Sequence, residues 1–239
     1  MASARDLLAP FRAAVERYAM IERGDRIAVG VSGGKDSVAL LALLCDLRRF
    51  YPVPFEVVAI TLDPCFDGEG DYSAITDMCE RLSVPFVLKR TRLWDAVQEH
   101  VSEGETPCSW CARLRRGTLH RIAKEEGCNK VALGHHQDDA AETMLMNLLS
   151  GATLGSFSPK SYLDRSDITL IRPMVFLTER EIAAYVRREG LPIVQSRCPV
   201  DGDTHRQRSK ELIEQLSETY GDVGKKITDA LQKGNVSGW

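Results

Sequence analysis

One run constrains this chain more than any other: RIAVGVSGGKDSVALLALL, beginning at Arg26. Ile27, Ala28, Val29 and Val31 read as a buried parallel strand, and Val38 to Leu44 as an apolar helix. Between them lies Ser32-Gly33-Gly34-Lys35-Asp36-Ser37. Paired glycines let backbone N–H groups curl into a nest at the helix N-terminus, where the helix dipole also favours an anion. Lys35 adds a point charge, and the hydroxyls of Ser32 and Ser37 add donors, so the unit is suited to holding phosphate. It is not a Walker A loop. Gly30 and Gly34 have only three residues between them, and Asp36 stands where Ser or Thr should follow the lysine. A glycine turn alone is also compatible with an ordinary strand–helix connection; strand, glycines, lysine and hydroxyls in this order favour phosphate.

These residues resemble the signature SGGKDS of the PP-loop ATP pyrophosphatases. The resemblance implies that the loop binds ATP, that the α-phosphate is attacked, and that pyrophosphate leaves behind an adenylated substrate.

With 239 residues, 44% of them hydrophobic and 27% charged, the chain suits one large α/β domain with small appendages. Its longest apolar run, Val38 to Cys45, is too short to span a membrane. The first twenty residues carry acids and no continuous apolar stretch, so no signal peptide and no membrane association are expected, and the expected location is the cytoplasm. A net charge of −3 gives no global field toward nucleic acid, so any RNA contact must come from local patches. Seven cysteines in such a chain argue against a disulfide framework; Cys45 and Cys79 read as small buried hydrophobes.

Apolar spacing predicts a helix over Leu7 to Ile21, ended by Arg23-Gly24-Asp25, before the first strand. A strand (55–62), a Gly/Asp-rich loop (63–71), a helix (73–82) and a short strand (85–89) follow. After a polar stretch, Thr106-Pro107 opens a helix to about Glu126, stopped by Gly127. Lys130 to Leu133 is the next strand, Gly134 to Asp139 its outgoing loop, and Ala140 to Leu149 a helix. Residues 151–167 read as an irregular connection, 168–171 as a strand, and 178–189 as a helix capped by Thr178 and stopped by Gly190. One amphipathic helix (209–220) is expected in the polar tail. The alternation implies a doubly wound parallel α/β sheet, with ligands beyond the carboxyl ends of the strands. The expected organisation is an N-terminal helix (1–24), the loop domain (25–195) and a tail (196–239).

The loop, Leu62-Asp63 and the segment from Gly134-His135 to Asp139 all follow strands and should converge on one crevice. The nucleotide-binding candidates are therefore Ser32, Gly33, Gly34, Lys35, Asp36, Ser37, Leu62, Asp63, Gly134 and His135. Asp138 and Asp139 could hold Mg²⁺ through phosphate oxygens or move a proton, and one of them should also cap the following helix. With Lys35 and Asp36 they form the catalytic candidates. Of the adjacent histidines, at most one should face the crevice.

Cys108-Ser109-Trp110-Cys111 opens a helix whose dipole is expected to lower the thiol pKa values. Such a pair admits a zinc half-site, an iron–sulfur half-site, a redox dithiol or coincidence. Cys198 is the best further soft ligand, and three thiols without a fourth would leave one metal position open. Spacing leaves zinc and iron–sulfur level. Arg113, Arg116 and His120 share a face of the helix after the pair, and His205, Arg206, Arg208 and Lys210 cluster in the tail. Solvated faces often look like this. Their nearness to the cysteines makes Arg113, Arg116, Arg206 and Arg208 the candidates for contacts to an RNA backbone.

FRAAVERYAMIERGDRIAVGVSGGKDS, CSWCARLRRGTLHRIA, VALGHHQDDAAETMLMNLLSG, IRPM and LPIVQSRCP together resemble the tRNA 2-thiocytidine synthetase (TtcA) family over most of residues 10–210. The resemblance implies a tRNA substrate and a [4Fe-4S] cluster held by Cys108, Cys111 and Cys198, its fourth iron free to carry a hydrosulfide. It further implies ATP with Mg²⁺, a cysteine desulfurase or free sulfide as sulfur donor, and a homodimer. Ser196 departs from the family pattern, standing in the region of its first tail cysteine. The alternatives are lysidine-type ligation, sulfur transfer to or from another substrate, and a zinc-stabilised ATP- or RNA-binding protein without turnover.

Overall fold

The computed structural model describes residues 4–100, 107–195, 197–198 and 205–239. Six strands form one sheet in the order β3-β2-β1-β4-β6-β5. β1 (Arg26–Gly30), β2 (Glu56–Asp63), β3 (Phe86–Arg90), β4 (Lys130–Ala132) and β6 (Ile168–Ile171) are parallel. The edge strand β5 (Lys160–Leu163) runs antiparallel to β6. The helices are α1 (Ala4–Arg17), α2 (Lys35–Arg48), α3 (Ser73–Arg81), α4 (Leu93–His100), α5 (Pro107–Glu125), α6 (Gln137–Gly151), α7 (Glu179–Glu189), α8 (His205–Tyr220) and α9 (Val223–Lys233). Among the described residues, no helix is long and apolar enough to cross a membrane.

Strand periodicity builds two cores. Ile27, Val29, Val57, Ala59 and Ile171 point to one face, under α1, α2 and α7, while Ala28, Val58, Ile60, Val131 and Leu170 meet Leu119, Ile122 and Ala123 of α5 on the other. α2 is apolar around most of its circumference because it is covered on most sides: Leu40, Leu41, Leu43, Leu44 and Leu47 are all fully buried. Each such leucine contributes about 2 kcal/mol of burial.

Four sequence expectations are corrected. Residues 151–167 contain β5, a short edge strand with Tyr162 exposed, too brief and too polar to show a buried pattern. The polar stretch before Thr106 holds α4, whose Leu93 and Val97 make a narrow buried stripe one helical turn apart. The tail has two helices, not one. α1 ends at Arg17, short of Ile21, with Ala19 in the left-handed region.

β4 carries a buried ion pair to the turn after α1. Lys130 Nζ lies 2.7 Å from Asp25 Oδ2 and donates to Met20 O at 3.0 Å, with both charged side chains only 5% exposed. Lys130→Met leaves the Asp25 carboxylate buried without its cation. It is expected to cost about 3 kcal/mol in urea unfolding, and a loss below about 1 kcal/mol would contradict a structural role for the pair.

Candidate functional site

The sheet order changes direction at β1, which has β2 on one side and β4 on the other, so a crevice opens beyond the carboxyl ends of these strands. The glycine loop fills it. Gly33 has φ +88°, and Gly34 stands extended as the N-cap of α2, leaving no side chain over the first helical N–H groups. Ser37 Oγ accepts the Ser32 N–H at 3.1 Å and donates to Gly34 O at 2.8 Å, so the hydroxyls brace the turn. Lys35 Nζ is held 3.1 Å from both Asp36 Oδ2 and Glu179 Oε1. Burial alone would lower the Lys35 pKa, but these two carboxylates outweigh it and raise the ammonium above its usual value.

The loop after β4 supplies the second wall. His136, not either aspartate, is the N-cap of α6, and the helix begins at Gln137 rather than Ala140. Asp139 reaches back to accept the His136 N–H at 2.9 Å, and also meets Arg206 of α8 at 2.5 Å. Asp138 Oδ2 accepts the Glu179 N–H at 2.7 Å, at the start of α7. Burial alone would raise the Asp138 carboxyl; hydrogen bonds from His136 and the Glu179 N–H hold it below its ordinary value. His136 Nε2 lies 3.4 Å from Asp139 Oδ2 and 3.9 Å from Asp36 Oδ1. Asp36 Oδ1 is buried with no hydrogen-bond partner, an orphaned carboxylate oxygen suited to a cation. His135 turns elsewhere: it accepts from Arg172 Nε at 3.2 Å, lies 4.9 Å from the Phe157 ring centroid, and is pushed down to about 4 by burial and the Arg172 charge.

A cavity of about 400 Å³ runs from the loop across the end of β2. Ser32, Gly34, Leu62 and Asp63 line it, together with Arg115 and Cys198. Gly33 instead backs against Val194, and Gly134 packs on the Asp36 backbone. Cys108, Cys111 and Cys198 line a second pocket of about 170 Å³ with Trp94 and Arg115. Two residues, Cys198 and Arg115, belong to both. All seven cysteines are free thiols. Burial pushes the Cys111 thiol up despite the neighbouring Arg115, so the expected dipole effect on this thiol is overridden. Among the described residues, no three His, Cys, Asp or Glu side chains converge tightly enough for a single metal ion. Three soft donors around a pocket, rather than around a point, fit a multi-iron group better than one zinc.

A family model described as the PP-loop domain matches residues 7–215. The tRNA-cytidine(32) 2-sulfurtransferase of Syntrophotalea carbinolica is 42% identical over 229 residues, covering 93% of this chain and 86% of the relative. The protein of that name from Geobacter sulfurreducens is 41% identical, with 93% and 86% covered. The chain belongs to this PP-loop family. Among solved structures, the U34-tRNA thiolase NcsA from Methanococcus maripaludis with its [4Fe-4S] cluster superposes with a TM-score of 0.78 at 24% identity, covering 96% of this chain and 78% of that one. That likeness concerns the fold.

The sequence of this PP-loop chain places Arg115 only in the basic run Arg113, Arg115, Arg116, His120, Arg121 and Lys124, which gives no sign of its position between two cavities. Nor does it mark Glu179, which joins Lys35 to Lys210 of α8 (2.6 Å) and carries no motif of its own. Of the RNA-contact candidates, Arg113 lies over the Trp110 ring (5.1 Å), Arg116 donates to Ala112 O (3.2 Å), Arg206 pairs with Asp139, and Arg208 lies on α8. Glu142, only 5% exposed behind Asp139, has its carboxyl raised to about 7, first by burial and then by the Asp139 charge. Its folded pKa exceeds its unfolded value, so the neutral acid is favoured on folding. Stability is therefore greatest below about pH 4.5 and declines as pH rises through about 7. Glu142→Gln is expected to match wild type near pH 4 and to gain on the order of 3 kcal/mol at pH 8 in urea unfolding. Equal stability at both pH values would contradict the assignment.

Proposed function

We propose that the chain is an ATP-dependent tRNA sulfurtransferase converting cytidine to 2-thiocytidine, at the position named for its relatives. The observation that carries this reading is the shared wall: Cys198 and Arg115 border both the loop cavity and the thiol pocket. An activated base in one cavity is thereby presented to a nucleophile from the other.

The cytosine C2 oxygen is a poor leaving group. ATP phosphates lie over the glycine loop, with Lys35 and the α2 N-terminus stabilising their charge. Attack by the C2 oxygen on the α-phosphorus forms the new O–P bond and expels pyrophosphate. Asp36, with Asp138 and Asp139 nearby, would hold Mg²⁺ against the phosphates. A sulfur nucleophile then forms the C2–S bond, and the C2–O bond breaks to release AMP. Cys108, Cys111 and Cys198 would hold a [4Fe-4S] cluster, which supplies that sulfur when bound. Arg113, Arg116, Arg206 and Arg208 are the proposed contacts to the tRNA backbone. The sulfur donor is a cysteine desulfurase or free sulfide, the assembly a homodimer, and the compartment the cytoplasm.

Nucleoside mass spectrometry of tRNA from cells with and without the gene tests this. Loss of 2-thiocytidine alone is the expected result; an unchanged level sinks the proposal. Anaerobically purified protein should contain iron and acid-labile sulfide, whereas one zinc and no sulfide would favour the non-catalytic alternative.

A further inference from the structure

Cys108 and Cys111 sit on the first turns of α5, where helical hydrogen bonds fix their backbone. Cys198 lies outside any helix or strand. A ligand must nonetheless be held to within about half an ångström to serve a preorganised site. Among the described residues, two other loops contribute contacts that restrain this part of the chain. After α7, Val194 N–H donates to Gly33 O at 3.0 Å, and a Cβ on Gly33 would sit 2.6 Å from Val194 Cβ. This segment is thus seated on the glycine loop itself. Immediately before the cysteine, Arg197 spans the loop after β2: its guanidinium is 2.6 Å from Asp67 Oδ1 and donates to Glu69 O at 3.0 Å.

The receiving loop is itself braced. Asp63 accepts the Cys65 N–H (3.0 Å) and the Gly70 N–H (2.8 Å), and Glu69 meets Arg90 of β3 at 3.1 Å. Phe66 of the same loop contacts Trp94, which lines the thiol pocket (ring centroids 5.2 Å apart). Arg197 therefore grips a braced loop that borders the first cavity and reaches the second only through the Phe66 contact with Trp94, and its fork reaches a carboxylate and a carbonyl together, which a lysine would not match.

We propose that Arg197 is a positioning residue: its clamp on Asp67 sets Cys198 against Cys108 and Cys111, so that a multi-iron group is retained. The proposal rests on the sulfurtransferase reading only through the identity of that group. The side chains are largely exposed, so the clamp is worth a modest factor.

The test uses the full chain, purified anaerobically and reconstituted with ferrous iron and sulfide. Cluster loss under EDTA is followed by visible absorption for wild type, Arg197→Ala, Asp67→Ala and the double variant. Each single variant is expected to lose the cluster about three- to tenfold faster, with the double no worse than either single. ATP affinity by calorimetry should stay within about twofold in Asp67→Ala, whose side chain lines neither cavity, and Arg197→Lys should restore only part of the loss. A second arm needs no cluster: alkylation of the metal-free full chain, mapped by peptide mass spectrometry, should accelerate at Cys198 and not at Cys108 in Arg197→Ala. Wild-type rates in Arg197→Ala in both arms, or multiplying effects in the double variant, overturn the proposal. A wild-type chain that takes up no iron, yet shows selective Cys198 exposure in Arg197→Ala, overturns the sulfurtransferase reading and supports the clamp. Asp67→Asn, which keeps the side-chain size, stands in should Asp67→Ala fail to fold.

Discussion

Replacing Lys35 by alanine is expected to lower kcat/KM for tRNA-dependent pyrophosphate release by about a hundred- to a thousandfold, the range found when one preorganised charge donor to a transition state is removed. In the proposed reaction Lys35 is the ammonium that meets the phosphate charge, and its partners Asp36 and Glu179 keep it charged and oriented. The side chain is 30% exposed, so its removal should change unfolding free energy by less than about 1 kcal/mol. The loss should fall mainly on kcat, because charge builds on the phosphates as the Pα–O bond breaks. A variant within about threefold of wild type would remove the loop from the chemistry.

The second large effect is a separation of half-reactions. Cys108→Ala is expected to bring 2-thiocytidine formation down by at least about a thousandfold, while tRNA-dependent pyrophosphate release stays within about threefold of wild type. Cys108 is the informative choice, since it lines the thiol pocket and not the loop cavity, whereas Cys198 lines both. Steady-state pyrophosphate assays beside nucleoside analysis of the same reactions read the two steps independently. Retained thiolation would show that Cys108 holds nothing the reaction needs. Loss of pyrophosphate release together with thiolation would show that the pockets cannot be uncoupled in this way.

Much of the site could be read before any coordinates, and the boundary between legible and illegible parts is physical. The glycine loop was legible because its function depends on consecutive residues: a strand, two glycines and a helix start suffice to aim N–H groups at an anion. The roles within His135-His136-Gln137-Asp138-Asp139 were not, because capping is a competition among neighbours. His136 takes the N-cap, Asp139 closes the capping box, and Asp138 is claimed by the N-terminus of α7, 41 residues further along the chain. The thiol pKa shows the same limit. A helix start favours thiolate, but burial of Cys111 acts in the opposite sense, and burial is invisible in a four-residue motif. β5 and α4 escaped detection since a short edge strand and a narrow buried stripe carry little periodic signal.

The sequence by itself determined the local devices: the anion-binding loop, the paired thiols of α5 and the alternation that demands a doubly wound sheet. Each rests on interactions between residues close along the chain, so spacing is enough to specify it. Only the tertiary structure decided which distant groups meet. Sheet order brings Asp36 to His136, the chain after α7 crosses the loop to deliver Cys198, and α5 turns Arg115 toward both cavities rather than toward solvent. Those meetings depend on packing across many intervening residues, where neither spacing nor composition carries the distance.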